Sequence, residues 1–306
     1  MTFKEGKELY MDIKQSRIKE SSVGTYAQMW KSRIEPALGH VPIENITRKT
    51  VMAFVETLKR DGLSNSSISS YVMFIKSILN GLATEFELST PNTRWPLLLD
   101  SKPKLNKIDR YTAAEAKRLI AYCIDNPSNT CLAILIGVCC GLRVGEVCAL
   151  RFDDVDFDLR AINVTRTLER IYDPEKKQTK IHIGETKTSC STRIVPLTSK
   201  LFSMVKAFSK VANPDYYIAT GSVKPTEPRT LRNALYAIED KAKVPRLKFH
   251  GLRHTFASLM VSNGAEIKTL SSILGHSNVG ITMDVYCHPN IEDKRKATQK
   301  TLSKIF

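Results

Sequence analysis

Apolar residues recur at helical spacing through most of the chain, with one interval of alternation. Val51, Phe54, Val55 and Leu58 share one face of a 3.6-residue period, and so do Ile68, Tyr71, Ile75, Ile78 and Leu79. Thr47 and the serines of residues 64–67 precede these stretches as caps, and Asp61-Gly62 ends the first. An earlier helix carries Tyr26, Met29 and Trp30 behind a cap at Ser22 or Thr25, and Pro36, Gly39 and Pro42 are expected to break it. Residues 1–100 thus read as a small all-helical domain. Periodicity then fades, and residues 101–110 read as a basic linker. A second domain opens at Tyr111, where Thr112 and Glu115 have capping-box spacing. Helices are expected to about Leu150. Between 161 and 197 the pattern alternates, through Ile162, Val164 and Thr165, Ile181 and Ile183, then Ile194 and Val195. That spacing predicts a small antiparallel sheet with turns near Asp173-Pro174 and at 187–190. Helical periodicity resumes after Ser199. The expected class is mainly α with a small antiparallel β-sheet, with the second domain at 111–290 and a tail at 291–306.

Composition narrows the partners. The 306 residues, 42% hydrophobic, suffice for two domains with buried cores. Lys plus Arg number 46 against 31 Asp plus Glu, a net charge of +15 that favours a polyanion through counterion release. Charge alone leaves DNA, RNA and an anionic membrane open. The longest apolar run, residues 131–142, is about half the ~20 residues a bilayer requires and reads as a buried helix. The polar N-terminus lacks an apolar signal core, so a cytoplasmic, nucleoid-associated location and no membrane partner are expected. Seven cysteines (123, 131, 139, 140, 148, 190 and 287) show no paired CxxC spacing and read as reduced thiols.

Four separated segments carry candidate chemistry. They are Arg143 with Glu146 after the buried helix, Lys187 at the expected hairpin tip, His250 with Arg253 and His254, and His276 followed ten positions later by Tyr286. Each has an ordinary reading alone. Arg143 and Glu146 fit a surface i,i+3 ion pair. Lys187 fits a solvated turn, and Tyr286 a core aromatic. His250 and His254 share a helix face as metal ligands do, but HExxH is absent and no third ligand is evident. Together they supply a phosphodiester transfer. Two guanidiniums hold the non-bridging oxygens, a histidine donates to them or moves a proton, a lysine protonates the leaving oxygen, and a phenol attacks. There is neither a GxxxxGK[ST] loop nor carboxylates spaced for two metals, so no cofactor is expected.

In these motifs the chain resembles the tyrosine recombinase (phage integrase) family, most of all the integrases of conjugative transposons. The His-x-x-Arg-His box at 250–254, Leu274-Gly275-His276 and the following Tyr286 carry the likeness, which extends over nearly the whole chain. It implies an all-helical core-binding domain followed by an integrase-type catalytic domain, acting in DNA integration or excision. It implies Arg143 and Arg253 as phosphate clamps, and Lys187 as general acid at the 5′-oxygen, with Lys176, Lys177 and Lys180 as rivals on the same hairpin. It further implies His250 as proton carrier, His276 as a phosphate contact, Tyr286 as the nucleophile forming a 3′-phosphotyrosyl link, and Glu146 as a supporting acid. His254 is expected to make a structural hydrogen bond.

The resemblance also implies double-stranded DNA as partner, a homo-oligomer on it (dimer to tetramer), and accessory DNA-bending or directionality factors. Residues 102–110 would lie along the duplex backbone, and the tail at 291–306 would dock on a neighbouring protomer. Two other functions stay open. One is a type IB topoisomerase-like enzyme; the other is a non-catalytic DNA-binding protein reading bases with residues 267–286.

Overall fold

The computed structural model describes residues 1–94, 96, 109–185, 192–286, 295 and 298–299. In chain order it contains α1 (Phe3–Lys14), α2 (Glu20–Met29), α3 (Glu35–Leu38), α4 (Arg48–Arg60), α5 (Asn65–Glu85), α6 (Ala113–Asp125), α7 (Asn129–Cys140) and α8 (Val144–Ala149). Strands β1 (Val155–Asp156), β2 (Ala161–Val164), β3 (Arg166–Asp173), β4 (Gln178–Glu185) and β5 (Arg193–Pro196) follow. The described chain continues through α9 (Ser199–Ser209), α10 (Pro228–Ala242), α11 (Phe249–Ser262), α12 (Ile267–Leu274) and α13 (Val279–Tyr286). Two compact units result. One joins residues 1–106 to 170–182, and the other joins 107–169 to 183–306.

The first unit is built on caps and aromatic packing. Thr2 and Glu5 close a reciprocal capping box on α1, and Thr47 and Ser64 cap α4 and α5. Phe3 packs on Trp30, with ring centroids 5.4 Å apart, and Tyr26 stacks on Phe74 at 4.3 Å. Pro36 does not break its helix as expected. A π-turn at Trp30–Ile34 resets the hydrogen-bond register, so the proline falls in the first turn of α3, where its missing N–H costs little, and the chain turns only after Leu38. The turn at Asp173 is stabilised by its carboxylate, which accepts from the backbone N–H groups of Glu175 and Lys176, both at 3.1 Å. The hairpin meets α2 closely. Lys180 Nζ lies 2.6 Å from Glu20, His182 Nδ1 lies 3.2 Å from the same carboxylate, and a Cβ on Gly24 would come within 2.4 Å of the Tyr172 carbonyl oxygen.

In the second unit α7 is buried at every position from Cys131 to Val138 and at Cys140, so it serves as the axis of the core. The alternating interval forms two sheets where one was expected. Strands β1, β2 and β5 pair antiparallel, Val155 opposite Ile162 and Ile162 opposite Val195, whereas β3 and β4 form a separate ribbon. The chain enters this unit pinned to α11. Arg110 Nη1 donates to Ser258 Oγ at 2.6 Å, and the Tyr111 backbone N–H donates to Thr255 Oγ1 at 2.9 Å. The Tyr111 hydroxyl bonds the buried Glu239 carboxylate. No helix among the described residues is long and apolar enough to cross a membrane. Cys123, Cys131, Cys139, Cys140 and Cys148 are free thiols, while Cys190, Cys287, most of the 101–110 linker and most of the 291–306 tail lie outside the described residues.

Candidate active site

The site begins where α7 stops. Gly141 adopts φ +67, a left-handed conformation that ends the helix, and a Cβ there would sit 2.6 Å from the Phe256 ring. The turn puts Arg143 at the N-cap of α8. Glu146, in the first turn, accepts from the Arg143 backbone N–H and from its Nη1, both at 2.8 Å. The expected i,i+3 pair is therefore present, but it is not a surface pair. The carboxylate is 2% exposed, and Arg193 of β5 reaches it with Nη1 at 3.1 Å and Nη2 at 2.9 Å. Burial pushes the Glu146 pKa up, yet the hydrogen bond and charge of Arg193, with Arg143 behind them, outweigh it and hold the group ionised.

Arg253 lies on the face of α11 turned to α7. It is 1% exposed and donates from Nη1 to the Gly141 carbonyl at 2.9 Å and from Nη2 to the Leu274 carbonyl at 2.7 Å. Each terminal nitrogen bears two hydrogens, so these anchors leave donors for a further acceptor. Burial and then the charge of Arg143 bring its pKa down to about 9, which leaves it protonated at neutral pH. Three guanidiniums, those of Arg143, Arg193 and Arg253, thus share one carboxylate. An arrangement with that excess of positive charge in a low dielectric is built to receive an anion.

The histidines are neutral. Burial, then the neighbouring His254, Arg253 and Arg143 charges, brings His250 down to about 4. Burial and the same guanidiniums, with Arg193, bring His276 to about 4, and its Nδ1 lies 2.8 Å from Thr282 Oγ1. Tyr286, at the end of α13, is 8% exposed and packs with Leu270 and Leu274. Its hydroxyl lies 2.6 Å from His254 Nδ1. Burial raises its pKa, while Arg253, Arg110 and Arg143 pull it back, so both expected clamps act electrostatically on the phenol.

Arg143, Glu146, His250, Arg253, His276 and Tyr286 are therefore brought together, although they come from distant segments. Lys187 lies outside the described residues. Sequence reasoning missed Arg193 and the partner of His254. Arg193 was detectable in principle, because it stands two positions before Val195 on the inward side of β5. Among the described residues no group of three or more His, Cys, Asp or Glu side chains is placed to hold a metal ion.

Comparison with known proteins adds to this geometry. The phage integrase family profile matches residues 109–293, and that of the phage integrase N-terminal SAM-like domain matches residues 2–59. A XerC-like tyrosine recombinase of Caldanaerobacter subterraneus subsp. tengcongensis is 26% identical over 278 residues, covering 84% of this chain and 70% of its own. The transposase from transposon Tn916 of Enterococcus faecalis is 27% identical over 197 residues, 56% of this chain and 45% of its own. Among solved structures, the Tn1549 transposon integrase in complex with a circular intermediate DNA superposes with a TM-score of 0.74 at 21% identity, covering 98% and 99% of the two chains. A lambda integrase dimer bound to a COC′ core site gives 0.64 at 18% identity, covering 95% and 81%.

Proposed function

The chain belongs to the phage integrase family, and on that premise we propose that it is a site-specific tyrosine recombinase that cuts and rejoins double-stranded DNA for a mobile element. The observation that carries this reading is the position of the Tyr286 phenol within the field of Arg253 and Arg143, in a site with more guanidiniums than carboxylates. In the proposed reaction the Tyr286 oxygen bonds to the scissile phosphorus, the phenol proton leaves, and the P–O5′ bond breaks. Arg143 and Arg253 hold the non-bridging oxygens, and His276 and the neutral His250 supply hydrogen bonds around the phosphate. Lys187 is assigned the proton for the departing 5′-oxygen. Glu146 orients Arg143 through its two bonds to that residue. One phosphodiester replaces another of similar energy, so the cycle reverses when a 5′-hydroxyl attacks the phosphotyrosine.

The Tn1549 integrase was captured with circular intermediate DNA and the lambda integrase as a dimer on its core site. These relatives support a duplex substrate; assembly as a dimer to tetramer in synapsis and accessory DNA-bending or directionality factors are part of the same proposal. The proposed place of action is the nucleoid, and the proposed division of labour is DNA binding by residues 1–100 and catalysis by 111–290, with the 291–306 tail reaching a neighbouring protomer. The test is a covalent adduct on a nicked suicide duplex of the site the protein selects from a random-sequence pool. Wild type is expected to form it, and Tyr286→Phe to bind the duplex equally and form none. An adduct that survives Tyr286→Phe would remove the assignment. Relaxation of a supercoiled plasmid without recombination of paired sites would indicate a topoisomerase instead.

A further inference from the structure

His254 was expected to be structural, yet its ring nitrogen is the hydrogen-bond partner of the nucleophile. The Tyr286 hydroxyl sits 2.6 Å from Nδ1, and among the described residues it bonds to no other side chain. His250, the residue assigned proton transfer from the family likeness, stands one turn away with its ring edge-on to that of His254 at 4.6 Å and 88°. With no other described side chain on the hydroxyl, the phenol proton has Nδ1 as its acceptor, which assigns the His254 proton to Nε2. We propose that His254 is the base that receives the Tyr286 proton during strand cleavage and returns it during religation. This inference rests on the recombinase reading above and adds a catalytic residue to it.

The step balances. As the phenol oxygen bonds to phosphorus, its proton passes to His254 Nδ1 and makes an imidazolium, and the P–O5′ electron pair leaves with the 5′-oxygen, which takes a proton from the general acid. In religation the 5′-hydroxyl attacks, the P–O bond to Tyr286 breaks, and the imidazolium returns its proton to the phenolate. The surroundings suit a base that is neutral at rest. Burial and the Arg253 and Arg110 charges disfavour the imidazolium, and the Asp109 carboxylate favours it. Asp109 and Arg110 belong to the segment pinned on α11 by the Arg110–Ser258 and Tyr111–Thr255 bonds, so both charges are held in place beside the ring. Among the described residues the other ionisable neighbours are His250 and Arg253 on α11 and Tyr286 on α13.

The test compares wild type with His254→Gln and His250→Gln on the nicked suicide duplex, measuring adduct rate against pH with DNA binding measured in parallel. Glutamine still offers an oxygen to the phenol but is too weak a base to take its proton. For His254→Gln we expect unchanged binding and an adduct rate about 100-fold lower near neutral pH, since general-base assistance is worth about 10²- to 10⁴-fold. The wild-type loss of rate in acid, caused by protonation of the imidazole, should vanish in His254→Gln, whose rate should climb with pH toward phenol ionisation. His250→Gln should keep the acid limb. A His254→Gln rate equal to or above wild type, or an acid limb lost in His250→Gln and kept in His254→Gln, would overturn the proposal. A second readout needs no DNA: in ¹⁵N-histidine spectra, Tyr286→Phe should move the His254 Nδ1 resonance, and an unmoved resonance would also overturn it. Absence of any wild-type adduct would instead count against the recombinase reading, which keeps the two failures apart.

Discussion

Truncating Glu146 to alanine tests whether the buried charge cluster is organised by that single carboxylate. Four N–H groups converge on it, two from Arg143 at 2.8 Å and two from Arg193 at 2.9 and 3.1 Å. The Arg143 side chain is 38% exposed, so water screens its charge and the lost pair costs at most about 1 kcal/mol. Arg193 is only 5% exposed, and removing Glu146 takes from its buried charge the carboxylate that accepts two of its N–H bonds, a loss of about 3–5 kcal/mol that dominates the outcome. Urea unfolding followed by far-UV circular dichroism, with hydrogen exchange of α7 amides, measures the effect. Replacing both partners, Glu146→Leu with Arg193→Met, should recover most of the loss, since neither charge is then stranded. The sign with pH follows from the depressed carboxylate pKa. The contribution is complete above the unfolded value of about 4.3 and is lost as pH falls through the folded value. If Glu146→Ala and Arg193→Ala cost strictly additive amounts in the double variant, the idea that one carboxylate neutralises both arginines fails.

Two further outcomes are expected. Gly141→Ala forces a Cβ onto a residue at φ +67 and against the Phe256 ring, and should cost about 2–4 kcal/mol in urea unfolding while slowing adduct formation, because the Gly141 carbonyl anchors Arg253. His250 and His276, both brought down to about 4 by burial and neighbouring cations, each contribute stability that is complete above an unfolded pKa of about 6.5 and erodes as pH falls toward 4. NMR titration should find both imidazoles neutral at pH 6, and a protonated ring at that pH would contradict the assignment.

The helical character of the chain was legible wherever an apolar stripe was dense. α4 and α5 follow from their buried faces and capping residues. α1 went unread because its buried side chains, Phe3, Tyr10 and Met11, are sparse on a charged helix, and it is held by packing and by backbone bonds to Gly39 and Val41. The β interval was legible as strands but not as two sheets. Alternation reports which side chains share a face, not which strand lies alongside, and Ile181 and Ile183 are exposed on their strand. The site residues were legible as a set because the proposed chemistry prescribes their types. Arg193 escaped because its neighbour Ile194, 57% exposed, inverts the usual order of apolar inside and polar outside on β5. The Tyr286–His254 bond escaped because nothing in a 32-residue separation fixes which of two histidines on α11 meets the end of α13.

The charge arithmetic of the site gives the proposed chemistry its direction. Among the described residues, Arg143, Arg193 and Arg253 bring three positive charges and Glu146 returns one, while Arg110 and Asp109 offset each other, which leaves an excess of two in a largely buried setting. The free site bears a real cost from that excess, since Arg143 and Arg193 both act to lower the Arg253 pKa. A bound phosphodiester supplies one compensating charge. The second negative charge develops on the phosphoryl oxygens as the phenol oxygen closes on phosphorus, while the proton it gave up stays in the site on His254. The compensation is therefore greater in the transition state than with bound DNA, and an interaction that strengthens on the way to the transition state is the kind that accelerates a reaction. Burial, against that excess, keeps the phenol protonated and bonded to His254 until a phosphate arrives: it raises the Tyr286 pKa, and the cations that oppose it do not overcome it.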